Sequence, residues 1–246
     1  MRVAFLVLLY PVIDATECAS DGADYSYSES ITSTTRTIAV SGCPNHPTKN
    51  LNPNYAVKSD QTFTIPVSPQ YSASQETSLS AVGGAVGIAR DGTHIYSAFA
   101  GSYTLTGYST SAAYLEGNTF DECGGHSSST TTPSYHYHVV PSCLLRQLGM
   151  ASGEHSPQVG WMADGFPVYG PLGPNGAVMQ TCTITGGTEG TDVCLDDCGG
   201  YYADIGDGYE YRYYIIGDFN ASERAIQHNH NTITFTRRRA RLRLTE

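Results

Sequence analysis

Charge is scarce in this chain. Only 15% of its 246 residues are charged, and two of those are lysine, Lys49 and Lys58. The formal net charge is −10, and five of the thirteen basic residues (Arg237, Arg238, Arg239, Arg241, Arg243) fall in the last ten positions. The body is therefore more acidic than the total, which does not suit a phosphate-binding surface and excludes nucleic acid as the expected partner. Long hydrophobic runs are missing too. The longest, Val3–Ile13, is too short to cross a bilayer, so no membrane span is expected. No stretch shows sustained helical periodicity, and there is no nucleophile elbow, phosphate-binding glycine loop or dinucleotide fingerprint.

What is abundant is glycine (26), tyrosine (18), serine and threonine, a mixture that favours strands and turns. Arg2 followed by Val3–Ile13 reads as a secretory leader over residues 1–19, with cleavage between Ala15 and Ala19. A buried N-terminal strand is the alternative. Seven cysteines fit an oxidising compartment, extracellular or, in a bacterium, periplasmic. Loss of Cys18 with the leader would leave Cys43, Cys123, Cys143, Cys182, Cys194 and Cys198 for disulfides. Cys123 with Cys143 and a local bridge among Cys182, Cys194 and Cys198 are the pairings expected, with Cys43 or Cys18 taking the remainder. Asn220-Ala221-Ser222 is a glycosylation sequon.

The segment Ser134-Tyr135-His136-Tyr137-His138-Val139-Val140 alternates aromatic and imidazole side chains, which predicts a strand with tyrosines on one face and histidines on the other. Imidazoles at i, i+2 lie roughly 6.5–7 Å apart along a strand, close enough to converge on one ion. A third, His126, follows Asp121-Glu122-Cys123-Gly124-Gly125.

Three blocks recur in order. Gly87–Tyr96 and Gly160–Tyr169 share Gly, Asp-Gly and Tyr at the same offsets, each reading as a hairpin about an Asp-Gly turn. Phe120–His126 is echoed by Leu195–Tyr201, and Tyr135–His138 by Tyr209-Glu210-Tyr211-Arg212. We read residues 85–140 and 158–216 as two degenerate copies of one β unit. The fold expected is an all-β, antiparallel, sandwich-like, disulfide-braced domain. A Ser/Thr/Pro-rich segment (20–61) precedes the β domain (62–220), and a C-terminal strand and basic tail (221–246) follow it.

Together, Phe120–His126, Tyr135–His138, Asp164–Pro171 and Leu195–Gly200 resemble the YHYH-domain family, named for the tetrapeptide at Tyr135–His138. The resemblance implies an exported protein and assigns no reaction. The chain departs from the family pattern at Tyr201, Glu210 and Arg212, leaving one intact histidine cluster.

Neutral imidazole binds metals near neutral pH, so His126, His136 and His138 form a candidate copper or zinc site, with Asp121, Asp164 or a water as a fourth ligand. Turn formation alone also accounts for Asp91 and Asp164, and a turn-capping role for Asp121 and Asp196. The alternative for the histidines is a hydrogen-bonded core network in a structural or adhesive extracellular protein. Such a protein would self-assemble through its arginine-rich tail. Glycan binding through exposed tyrosines and Trp161 is a third possibility. His228-Asn229-His230 repeats the i, i+2 spacing ahead of a strand-like Thr232–Thr236.

Overall fold

The computed structural model describes residues 16–48, 51, 53–72, 76–78, 84–100, 112–128, 135–216 and 241–243. The leader before residue 16, Asn220, His228–His230 and 232–236 lie outside the described residues. The strands are β1 (Tyr27–Ile31), β2 (Thr35–Val40), β3 (Gln61–Pro66), β4 (Glu76–Ser78), β5 (Ala85–Ala89), β6 (His94–Tyr96), β7 (Gly125–Ser127), β8 (Tyr135–Tyr137), β9 (Gln158–Met162), β10 (Pro167–Tyr169), β11 (Gly200–Tyr202), β12 (Tyr211–Tyr214) and β13 (Arg241–Arg243). The helices are short: α1 (Ala112–Glu116), α2 (Ser142–Gln147) and α3 (Cys182–Thr185). The domain is all-β, as the composition implied.

An eight-stranded sheet runs β11-β12-β10-β9-β5-β6-β8-β7. It reads alike from its centre outward. On each side an antiparallel hairpin (β5–β6; β9–β10) is followed by a parallel neighbour (β8; β12) and an antiparallel edge strand (β7; β11). The two sides meet where β5 pairs antiparallel with β9. Backbones approach closely there: a Cβ on Gly160 would lie 2.3 Å from the Ile88 carbonyl oxygen, and one on Gly87 2.7 Å from that of Trp161. The recurrent glycines thus let the two halves join.

The strand pairing corrects the sequence register of the echo. Gly125 pairs with Tyr137 in one half and Gly200 with Tyr213 in the other, so Tyr135–His138 corresponds to Tyr211-Arg212-Tyr213-Tyr214, not to residues 209–212. Tyrosines recur every second residue through 209–213, and a slip of two leaves strand alternation intact, so periodicity could not distinguish the registers.

A three-stranded antiparallel sheet, β1-β2-β3, covers the middle of the large sheet on one face. Ile38, Val40 and Ile65 pack there against Ile88 and Trp161. Trp161 is 7% exposed, donates to Glu29 and lies under the Arg36 guanidinium, 3.7 Å from the ring centroid. It is therefore not the exposed glycan platform the sequence allowed. The opposite face carries Val86, Met162, Tyr135, Tyr137, Tyr211 and Tyr213, closed by Leu144 and Leu145 of α2 and by the Cys18/Cys43 segment. At the chain's end β13 pairs with β4 of the same chain.

The tyrosine face is held by carboxylates. Tyr137 Oη donates to Asp91 (2.5 Å) and Tyr213 Oη to Asp164 (2.6 Å). Tyr135 donates to Asp121 and Tyr211 to Asp196, both at 2.9 Å. Each aspartate also accepts backbone N–H groups of its own turn, for example Cys123 and Gly125 on Asp121, Cys198 and Gly200 on Asp196. Burial pushes the Asp164 carboxyl up to about 6, against the hydrogen bond from Tyr213. Gly125 and Gly200 are required because the tyrosine rings lie over them. A Cβ would meet Tyr135 Oη at 2.4 Å and Tyr211 Oη at 1.7 Å.

The disulfides are Cys18–Cys43, Cys123–Cys143 and Cys182–Cys194. Cys198, expected in a bridge, lies in none of them. It matches Cys123, but no cysteine follows it in the sequence to take the place of Cys143. A leader ending at residue 19 would include Cys18 and so take one half of the Cys18–Cys43 bridge with it.

His46 joins the N-terminal segment to this face. Its Nδ1 lies 3.1 Å from the Pro47 carbonyl and its Nε2 2.7 Å from Tyr137 Oη. With the tyrosine proton directed to Asp91, both ring nitrogens face acceptors, an arrangement that favours the imidazolium, 3.6 Å from Asp91. Burial opposes that charge, but Asp91, the Pro47 carbonyl and Asp121 together raise the His46 pKa.

Two outcomes follow for stability. Tyr211→Phe leaves the buried Asp196 short of a donor and should cost about 1–3 kcal/mol in denaturant unfolding. His46→Gln should destabilise by about 3–5 kcal/mol in mild acid. A raised folded-state pKa gives stability that is complete below the unfolded value and lost as pH rises through the folded one. The wild-type advantage over His46→Gln should therefore shrink as pH rises above about 6.5; a constant difference would show that His46 acts without charge.

Candidate metal centre

Three imidazoles converge at the outer edge of the sheet's first half. β7 and β8 pair antiparallel with His126 directly opposite His136. Opposed residues share a face, which sets these two rings side by side. His138, just beyond the end of β8, falls on the same side by strand alternation. The Nε2 atom of His136 lies 3.0 Å from Nε2 of His126 and 3.0 Å from Nε2 of His138. Their nitrogens form a group in which every pair lies within 4.8 Å.

The outer nitrogens are tied down. His138 Nδ1 is 2.5 Å from the Ser97 carbonyl oxygen, which can only accept, so this ring carries its proton on Nδ1. Thr119 Oγ1 donates to the Glu116 carbonyl (2.7 Å) and so accepts from His126 Nδ1 (2.6 Å). Both rings, when neutral, therefore aim an Nε2 lone pair inward. Anchoring of this kind, with the far nitrogen bonded to a carbonyl or hydroxyl, orients metal-ligating histidines. Tyr96 stacks on His136 with centroids 3.9 Å apart, and the edge of Phe120 meets His126 at 4.7 Å.

Burial favours the neutral form of two of these rings. It pushes His126 down to about 4, helped by His138, and pushes His138 to about 4 against the Ser97 carbonyl. Neutral imidazole is the form that binds a cation.

Neither aspartate proposed from the sequence reaches this cluster. Asp121 is occupied by Tyr135 and its own turn, and Asp164 by Tyr213 and Phe166, both on the tyrosine face. Their alternative reading as turn anchors matches the geometry. The carboxylate beside the histidines is instead Glu116, whose Oε2 lies 3.5 Å from His126 Nε2 and 3.4 Å from His138 Nε2. Nothing in the sequence singled it out, because it arrives from α1 rather than from the strands. Thr119, in the turn after α1, and the Ser97 carbonyl, just past the end of β6, were not singled out either. A second grouping, His46 with Cys123 and Cys143, offers no thiolate, since those cysteines are bonded to each other.

The other half shows what replaces the cluster. Tyr201 stands opposite Arg212 where His126 stands opposite His136. Arg212 is 0% exposed and clamps Asp207 through Nε (2.8 Å) and Nη2 (2.9 Å). It also donates to the carbonyls of Ala203 and Tyr209. Tyr169, matching Tyr96, donates to Asp207.

Nitrogen-resolved spectra of the metal-free protein at neutral pH should show His126 and His138 neutral and protonated on Nδ1. Protons on both Nε2 atoms would contradict the inward lone pairs.

Comparison with curated proteins and with solved structures finds no match. The model of a family described as YHYH protein matches residues 62–190, a span that takes in the whole histidine cluster and both Asp-Gly hairpins but stops short of β11 and β12. The chain belongs to the YHYH protein family.

Proposed function

We infer that this is an exported metal-binding protein whose centre is formed by His126, His136 and His138 around one copper or zinc ion. The observation that carries the reading is the convergence of three Nε2 atoms with two of their rings anchored through Nδ1. A hydrogen-bonded network satisfies this arrangement poorly. With lone pairs on His126 and His138 both facing His136, at most one proton, on His136 Nε2, is left for two acceptors. A cation serves all three nitrogens. Imidazole donors without a thiolate suit both copper and zinc. Export is supported by the apolar run at Val3–Ile13 and by three disulfides, which persist in oxidising compartments.

Protein purified without an affinity tag should carry copper or zinc at one ion per chain by elemental analysis. His136→Ala and His138→Ala should each lose it while retaining a cooperative thermal transition. Metal content unchanged in both variants would defeat the reading and favour the hydrogen-bonded network.

A further inference from the structure

We propose that Glu116 is the fourth ligand of this centre and that its carboxylate makes the site one for a divalent ion. The proposal rests on the metal reading above and goes beyond it in naming the ligand and the ion class.

The distances fit. Ligands bound at about 2.0–2.1 Å in a tetrahedron stand about 3.3–3.4 Å from one another. Glu116 Oε2 lies 3.4 and 3.5 Å from two of the three imidazole nitrogens. That is the spacing of co-ligands. The imidazole nitrogens lie closer to one another, at 3.0 Å, and a bound ion would spread them to the same spacing. The backbone holds the residue in place: the Thr119 hydroxyl that anchors His126 also bonds the Glu116 carbonyl, so one side chain fixes two members of the set. The Glu116 side chain is 26% exposed, against 7% for His126 and 4% for His138, which makes it the solvent-facing member.

The second half supplies an independent parallel. Arg212, at the position matching His136, is a buried cation facing the carboxylate of Asp207. In both halves a carboxylate lies on this part of the sheet, Asp207 against Arg212 itself and Glu116 against the neighbouring His126 and His138. One half holds a fixed guanidinium there, and the other presents three neutral nitrogens. Three imidazoles and one carboxylate form a borderline-to-hard set with a charge of −1. Such a set prefers Zn²⁺ or Cu²⁺ over the soft, monovalent Cu⁺.

The test is competitive titration of full-length metal-stripped protein with Zn²⁺, Cu²⁺ and Cu⁺, comparing wild type with Glu116→Gln, Glu116→Ala and His136→Ala. Glu116→Gln keeps the side-chain shape, and thermal unfolding of the metal-free variants checks that each is folded. Both Glu116 variants should weaken Zn²⁺ and Cu²⁺ by at least about tenfold, leave Cu⁺ affinity unchanged, and alter the Cu²⁺ electron paramagnetic resonance spectrum. Equal Zn²⁺ affinity in wild type and Glu116→Ala, with binding lost in His136→Ala, would remove Glu116 from the ligand set while sparing the histidine centre. Cu⁺ weakened as much as Zn²⁺ would overturn the preference for a divalent ion. A wild-type protein that binds none of the three ions would defeat the metal reading itself, and this proposal with it.

Discussion

Four buried hydrogen bonds from tyrosine to aspartate hold this molecule in register. Tyr135, Tyr137, Tyr211 and Tyr213 each reach a carboxylate that is already capping a turn, so each bond ties a strand to a loop or hairpin. Because side chains alternate along a strand, fixing the tyrosine face also fixes what the other face presents. In one half that is a histidine cluster, and in the other a buried arginine. The scaffold is shared and the chemistry is not.

This division explains the aspartates. A buried carboxylate is costly unless hydrogen-bonded, and Asp91, Asp121, Asp164 and Asp196 receive backbone donors at the turn as well as a phenol. Those bonds face away from the histidines. His46 links the disulfide-pinned N-terminal segment to the Tyr137–Asp91 pair. The tyrosine side is thus a structural polar network. On the histidine side the Nε2 atoms of the three rings face one another instead.

Much of this was legible in the sequence. Alternation at Tyr135–His138 separated a tyrosine face from a histidine face, and His126, a short way upstream, was added to the histidines by its proximity; the sheet sets it opposite His136. The Asp-Gly hairpins and the Cys123–Cys143 bridge were legible from turn chemistry and from loop position. What escaped has physical causes. Glu116 approaches from a short helix, so no strand periodicity links it to the cluster. The extra tyrosine at 209 made a two-residue register slip invisible to a pattern of period two. Asp121 and Asp164 attracted a ligand reading because turn-capping and metal-binding carboxylates look alike until their partners are known. Cys198 looked like a bridge member because it lies close in sequence to Cys182 and Cys194, which bond to each other.

The central claim is that three imidazoles enclose a single ion, with the fold holding their inward nitrogens ready. Anomalous diffraction from crystals of the untagged protein, recorded on both sides of the copper and zinc absorption edges, tests this most directly. The account predicts one anomalous peak, about 2.0–2.1 Å from Nε2 of His126, His136 and His138. Rings in direct hydrogen-bond contact with one another, and no anomalous peak between them, would contradict it.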